Sequence, residues 1–600
     1  MSGVRDAIGA AKSHSVNLRT TALRLWPWLA AITSGLLYRA CFAPFDQAWL
    51  CWIALTPLLA AVWFSEPKFG RRAWLRDLLL GYVAGLAFFW PVFSWLTTVT
   101  VPGWILVGIY MAHYFAGWAW LCGRLKPRVV EKQVTGLEAV TQRLAQKRAV
   151  NAVSAIPRTV EIGKITDARS DFMETPIDPP LKNSPWLNSL SNLRLAFLLA
   201  SGWVTVELLR GVVFTGWGWN TLGHALHGQW ALIQIVEFTG VPGLSFLIAF
   251  TNVILLATIC RFIIETKVKR MRPHYDFTMT MAAILGVIGY GVRAVQERAD
   301  SVPVRVAAVQ PNIPREQKFN DEFAQITFEQ FNRLSQIGLR ARPDLLIWPE
   351  SSMPQPMLPD QPSFKFVMDF AAAAKVDLLL GAIDEDEKAA YNAALLVSEE
   401  GERTQLYRKM HLVPFGEYIP GRHMIPGLAR IVGDQVPSDF GSGVEHTVFA
   451  TSRDDVRVAP LICFEDTIGE LTRQFVLGGA NLLANVTNDG WFLRSAGSQQ
   501  HLANAIFRCV ETRLPMVRAA NTGVTCFINP NGRITQMLLD DTGSQFTEGV
   551  LTGEVSVPRV YRPTFYVQHG ELFAEVCAAM TAATLALLVL RFFRTRKRSF

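Results

Sequence analysis

Charge is scarce in this chain. Asp, Glu, Lys and Arg make up only 18% of its 600 residues, against 50% hydrophobic residues. With a mean hydropathy of +0.22, so little charge argues against a soluble protein and for one that spends part of its length in lipid. A cysteine framework is missing too: the eight cysteines are scattered, with no C-x-x-C pair. Cys41, Cys51, Cys122 and Cys260 fall in or beside apolar runs, where a thiol is simply a small hydrophobe. No Walker motif and no metal-ligating cluster is present, which leaves energised transport without support and implies neither cofactor nor metal. The net charge is +8, yet the basic residues form no single stripe. They cluster beside apolar runs, so membrane topology accounts for them better than nucleic acid does.

A transmembrane helix needs ~20 mostly apolar residues. Candidate spans lie at 25–44, 48–64, 77–98, 101–122, 194–214, 241–262, 277–296 and 572–592. The second is short and the seventh is diluted by Thr and Gly. No small-residue cleavage pattern follows the first span, and more spans come after it, which argues against a signal peptide. Basic residues crowd alternate loops: Arg5, Lys12, Arg19 and Arg24; Lys68, Arg71, Arg72 and Arg76; 126–148; 261–272; and 591–598. One orientation satisfies them all, with both termini cytoplasmic and residues 297–570 on the opposite face, the periplasmic side in a bacterium. The expected organisation is a membrane domain at 1–296, an extracytoplasmic domain at 297–570, and an eighth span with a basic tail at 571–600. Residues 124–193, rich in charge and proline, read as a cytoplasmic insertion that carries no chemistry.

From Val304 the pattern changes to short β-rich runs at 304–309, 344–348, 376–381, 390–397 and 456–463. Helical stretches at 322–341 and 364–375 separate some of them, which argues a layered α/β domain. Three blocks in it place an ionisable residue where a strand would end: Leu346-Ile347-Trp348-Pro349-Glu350, Tyr407-Arg408-Lys409-Met410-His411 and Pro460-Leu461-Ile462-Cys463-Phe464-Glu465. A carboxylate, an ammonium and a thiol are the parts of a covalent acyl-transfer site.

Those three blocks resemble the signatures of the nitrilase superfamily. Longer blocks, Val309–Pro314, Lys409–Tyr418, Asn485–Phe492 and Arg518–Gly523, together with Phe42–Asp46 and Glu207–Gly211 in the membrane half, resemble the bacterial apolipoprotein N-acyltransferases. The resemblance covers nearly the whole chain except 124–193. It implies an αββα sandwich carried on eight membrane helices. Cys463 would be the nucleophile, Glu350 its general base and Lys409 the stabiliser of the oxyanion. Glu417, Glu465, Asn392 and Phe464 would support them or the substrate. Phe464 stands where some relatives have Tyr, and Phe319 where Trp is often found. Cys509 and Cys526 lack such a setting and read as structural.

The implied reaction is ping-pong. Cys463 takes a fatty acyl chain from a phospholipid, and the α-amine of an S-diacylglyceryl-cysteine at an apolipoprotein N-terminus then receives it. Residues 217–230 are expected to form an aromatic rim at the membrane surface, and loops 415–425 and 491–496 a lid. A monomer in a bacterial inner membrane is the expected setting. The alternatives are a membrane-tethered nitrilase or amidase that hydrolyses a C–N bond, and a transporter or scaffold with an inactive domain.

Overall fold

A computed structural model describes residues 24–65, 72–127, 184–269, 271–297, 300–318, 320–401, 404–422 and 438–597. The expected insertion, except its edges, lies outside these residues. So do the basic N-terminal arm before Arg24, Lys68, Arg71, Phe319 and residues 423–425 of the expected lid.

The membrane half opens with α1 (24–40) and α2 (Thr56–Phe64), followed by α3 (Ala73–Val92), α4 (Val101–Arg124), α5 (Ser189–Val212), α6 (Val241–Val268) and α7 (Tyr275–Gln296). Local signals set the starts of two of them. Thr100 caps α4 by accepting from Gly103 N, and Asn188 caps α5 by accepting from Ser191 N. Helices α3 and α4 meet backbone to backbone at Gly81, where a Cβ would lie 2.5 Å from the carbonyl oxygen of Phe115.

The expected span at 48–64 is not one helix. It divides into a 3-10 turn, Ala48–Trp52, and the nine-residue α2, which at about 1.5 Å per residue is far shorter than a bilayer core of ~30 Å. The buried side chain of Asn252 on α6 explains the break. Its Oδ1 accepts from the backbone nitrogens of Leu55 (2.9 Å) and Thr56 (3.2 Å), and its Nδ2 donates to the carbonyl of Cys51 (2.9 Å). A polar side chain thus satisfies backbone groups that a continuous helix would have paired internally.

Among the described residues, six helices are long and apolar enough to cross a membrane: α3 to α7 and the C-terminal α12 (Leu572–Lys597). α7 and α12 turn large apolar side chains outward, with Leu285 67% and Leu587 57% exposed. Lipid solvates such faces and water does not.

Between α7 and α12 lie two six-stranded sheets. The strands are β1 (Ser301–Gln310), β2 (Leu345–Trp348), β3 (Asp377–Glu385), β4 (Ala390–Val397), β5 (Thr404–Arg408), β6 (Phe449–Ala450), β7 (Arg457–Ile462), β8 (Leu482–Thr487), β9 (Met516–Ala520), β10 (Cys526–Ile528), β11 (Ile534–Met537) and β12 (Gly549–Pro558). The order is β12-β1-β2-β3-β4-β5 in one sheet and β11-β10-β9-β8-β7-β6 in the other. β1, β2 and β3 run parallel, as do β7, β8 and β9. Side chains alternate along the strands of the first sheet. Ala307, Val309, Leu346, Leu378 and Leu380 pack against α8 (Ala324–Leu339) and α9 (Pro362–Ala374). Val306, Ala308, Leu345, Ile347 and Leu379 pack with the second sheet. α10 (Gly469–Leu477) and α11 (Gly497–Thr512) cover that second sheet, which completes the expected αββα layering.

One buried amide joins the halves. Gln500 on α11 accepts from Trp95 Nε1 (3.1 Å) and Asn220 Nδ2 (3.0 Å), and donates to the carbonyls of Ala43 and Val92 (3.2 Å each).

Candidate active site

Each residue of the expected triad follows a strand end. Glu350 comes two residues after β2, Lys409 directly after β5 and Cys463 directly after β7. The carboxyl ends of parallel strands are where such sheets leave backbone and side chains free for chemistry. Cys463 itself has φ +50°, a left-handed conformation that costs a non-glycine residue about 1–3 kcal/mol. Its carbonyl is held by Asn485 Nδ2 (3.1 Å) and lies 3.3 Å from His501 Nε2. These contacts hold the sharp turn that presents the thiol.

Glu350 is fixed from three directions. Lys318 Nζ donates to its backbone carbonyl at 2.6 Å, and Asn392 Nδ2 donates to its Oε1 at 2.7 Å. Gly381 on β3 lies against its backbone, where a Cβ would stand 2.4 Å from Glu350 Cα, so only glycine permits this approach. The remaining oxygen, Oε2, is buried and has no partner. Asn392 Nδ2 also donates to Glu417 Oε1 (2.7 Å), which accepts from Lys409 Nζ at 2.9 Å, while Val413 N donates to Glu417 Oε2. Glu350, Asn392, Glu417 and Lys409 thus form one bonded chain.

Electrostatics ties Cys463 to that chain. Burial pushes its thiol pKa up, the Glu350 charge adds to that, and Lys409 opposes them, so the neutral thiol is the resting form. Burial works against the charge on Lys409, but Glu417 and Glu350 outweigh it and hold the ammonium well above its ordinary range. Burial lowers Lys318 to about 8, against the opposing pull of Glu350 and Cys463.

Glu465 braces two strand exits against each other. Its carboxylate accepts from Tyr407 OH (2.8 Å), Met410 N (2.8 Å) and His411 N (3.2 Å) beside β5, and from Ile462 N (2.9 Å) at the end of β7. Lys409 and Cys463 are thereby held in a common frame. Behind Cys463 lies a second buried cluster. His501 reaches Asp466 (2.8 Å) and Asp489 (3.0 Å), and Arg518 donates to both oxygens of Asp489 at 3.0 Å. Burial opposes the Asp489 charge, but Arg518 and His501 overcome it and lower its pKa to about 2.

Aromatic rings cover the site. Phe464 stacks on His411 (5.7 Å) and Trp219 (6.1 Å), with Trp217 at 5.9 Å. The expected surface rim at 217–230 is therefore corrected. Trp219 is 1% exposed and, with Trp217, forms a wall above Phe464. Of the three tryptophans in 217–230, Trp230 alone keeps an exposed position, at 53%. The rings had more contact area to gain against the catalytic domain than at a lipid surface. Trp491, in the expected lid, lies under the Arg315 guanidinium at 3.8 Å. Cys509 and Cys526 are buried in the core, as expected.

All the expected site residues lie in this one region. Sequence reasoning missed Lys318, Asp466 and His501, and gave no role to Asp489 and Arg518 although both lie in the motif blocks. Lys318 bonds a backbone carbonyl and the others pair as buried ions, contacts that join residues far apart in the chain and leave no local pattern.

The carbon-nitrogen hydrolase family matches residues 305–562, and the apolipoprotein N-acyltransferase N-terminal domain matches 34–141 and 182–254. An apolipoprotein N-acyltransferase of Geobacter metallireducens is 32% identical over 573 residues, covering 93% of this chain and 95% of that one. The chain belongs to the apolipoprotein N-acyltransferase family. Another member, from Chlorobaculum tepidum, is 33% identical over 431 residues, 65% of this chain and 78% of its own. Among solved structures, a CN-hydrolase superfamily protein from Xanthomonas campestris is similar at 17% identity, with a TM-score of 0.33, covering 42% of this chain and 91% of that chain. In this chain a membrane-embedded half and a half of the carbon-nitrogen hydrolase family follow one another.

Proposed function

We propose that this protein moves a fatty acyl chain from a phospholipid, through a thioester on Cys463, to the α-amine of the S-diacylglyceryl-cysteine at an apolipoprotein N-terminus. The observation that carries this reading is the meeting of Glu350, Lys409 and Cys463 at three strand exits, beneath aromatic rings supplied by the membrane half.

In the first half-reaction Glu350 Oε2, the oxygen without a partner, takes the Cys463 proton as sulfur attacks the ester carbonyl. Lys409, held charged by Glu417 and Glu350, faces the negative charge that develops on the carbonyl oxygen. The tetrahedral intermediate collapses with cleavage of the C–O bond, and Glu350 returns its proton to the departing lysophospholipid oxygen. In the second half the amine attacks the thioester, Glu350 accepts an amine proton, and the thiolate leaves and recovers that proton. A neutral resting thiol suits this order, because the nucleophile forms only as its proton moves to Glu350. The aromatic cover keeps water from the thioester.

The proposed organisation is eight spans, with the broken segment 48–64, whose backbone Asn252 satisfies, counted as one of them, and with 1–296 and 571–600 forming the membrane domain. Residues 297–570 face the periplasmic side of a bacterial inner membrane, both termini are cytoplasmic, and the chain works as a monomer. The outward apolar faces of α7 and α12 and the alternating basic loops support it.

Purified protein incubated with acyl-labelled phospholipid should gain one acyl group by intact mass. A diacylated lipopeptide should discharge it, and Cys463→Ala should abolish it. An adduct that survives Cys463→Ala would sink the mechanism, and discharge to water but never to the lipopeptide amine would establish a tethered hydrolase instead. For the topology, a membrane-impermeant thiol reagent should label an exposed cysteine placed in 300–570 from the periplasmic side only.

A further inference from the structure

Arg210, in the last turn of α5, is 3% exposed, yet its Nε and Nη2 have no hydrogen-bond partner. Glu207, one turn earlier, is within electrostatic reach of Arg210 but makes no bond to it, while its Oε1 accepts from Trp203 Nε1 (2.8 Å) and Leu222 N (2.7 Å). The face of the Phe89 ring, 5.5 Å from the guanidinium carbon, is the contact the charge does make. A buried guanidinium held by a ring face and left without acceptors is costly unless something else supplies oxygens.

Two more orphaned donors lie close by in the chain. Trp217 and Trp219 both have buried Nε1 groups without partners. Trp217 is tied to Arg210 directly, since its backbone nitrogen donates to the Arg210 carbonyl at 2.8 Å. Both indoles lie against Phe464, the residue after the nucleophile. The orphaned donors thus lie along one line of rings, since Phe89 under the Arg210 guanidinium packs on Phe93 (5.7 Å), Phe93 on Trp217 (5.4 Å) and Trp217 on Phe464, the neighbour of Cys463.

We infer that this line is the recognition site for the polar part of the acyl donor: Arg210 takes the phosphodiester of a glycerophospholipid, and the indole N–H groups of Trp217 and Trp219 take its ester oxygens. The site rests on the acyl-transfer reading and adds to it the group by which the donor is chosen. The chemistry matches in kind. A guanidinium pairs with phosphate oxygens in a fixed fork, whereas neutral N–H donors suit ester carbonyls. A donor seated this way has its anionic end at the end of a membrane helix and its ester links toward Cys463.

The test compares two acyl donors in detergent: a phosphatidylglycerol, and a diacylglycerol with the same chains and no phosphate. The readout is the ratio of their rates of Cys463 acylation. Arg210→Gln should lower that ratio about tenfold or more, and Arg210→Lys should recover part of it, since a point charge replaces the fork. Trp217→Phe keeps the ring and removes its donor, and should slow both donors while leaving the ratio unchanged. Equal slowing of both donors by Arg210→Gln, or no change with either, would overturn the assignment. If Arg210→Gln does not accumulate in membranes, the Lys variant gives the same ratio test. Inorganic phosphate should lower the native ratio by competing for Arg210 and leave the Arg210→Gln ratio unchanged; equal lowering of both would overturn the assignment. Failure of the native protein to acylate Cys463 from either donor would instead break the acyl-transfer reading beneath it.

Discussion

Two buried polar networks flank Cys463, and they are built to opposite ends. On one side, Asn392 and Glu417 link Glu350 to Lys409, and one oxygen of Glu350 stays without a partner. On the other, Asp489 has both oxygens bonded to Arg518 and a further contact to His501. The first network can accept and return a proton, because a carboxylate oxygen in it is uncommitted. In the second, Asp489 is committed to Arg518 and His501, while Asp466 beside it keeps both oxygens without a hydrogen bond, and the cluster holds the peptide that presents the thiol. Both carboxylates are buried, so what separates Glu350 from Asp489 is the degree of saturation.

The sharpest break of that comparison is Glu350→Gln. It preserves the contact to Asn392 in shape and removes the base, so Cys463 acylation should fall by about 10²–10⁴-fold with little change in thermal stability. A loss below tenfold, read in single-turnover acylation, would move the base elsewhere.

On the saturated side, Asp489→Asn should cost stability first. It leaves the buried Arg518 with only the more distant Asp466 carboxylate (4.0 Å) against its charge, an effect of about 3–5 kcal/mol, read as lost yield of folded protein or a lowered unfolding midpoint. The native pair also has a pH signature. With its pKa lowered to about 2 from the ordinary 3.8, Asp489 stabilises the fold above pH 3.8 and loses that contribution as pH falls toward 2.

Glu465 sits between the two networks and gives a smaller, pH-resolved test. Burial raises its pKa to about 6 from 4.5, with Lys409 and its donors pulling the other way. Acylation should show an acid limb near pH 6, where protonation weakens the brace between β5 and β7, and Glu465→Gln should remove the limb while lowering the plateau. Stability moves oppositely. A raised carboxylate pKa contributes stability that is complete below pH 4.5 and lost as pH rises through 6. A limb that persists in Glu465→Gln belongs to another group.

The mildest expected effect is Gln500→Leu, which removes four contacts between the halves while keeping volume. It leaves the Val92 carbonyl, the Trp95 indole and the Asn220 amide without these partners, while the Ala43 carbonyl keeps Arg39 Nη1 (2.9 Å), at about 1–3 kcal/mol. Scanning calorimetry should resolve separate transitions for the two halves if this amide couples them.

The parts of the site legible in the sequence are those that end strands. Glu350, Lys409 and Cys463 each follow an apolar β run, and a run that stops marks where a side chain leaves the core. The layered fold followed from the same runs and the helical stretches between them. The break at 48–64 was not legible, because Asn252, about 200 residues away, satisfies it. The aromatic stretch around Trp219 was misread for a similar reason. Tryptophan is at home both at a lipid surface and in a packed wall, and only its neighbours decide between them.

By itself the sequence determined that this protein has a lipid-facing part and an α/β part, because hydropathy and strand periodicity are carried by adjacent residues. It also supplied the three reacting groups. Tertiary structure alone decided which oxygen of Glu350 is free, which ions are saturated, and that Arg210 lies buried without acceptors. Those properties depend on side chains brought together from distant segments and on the exclusion of water between them.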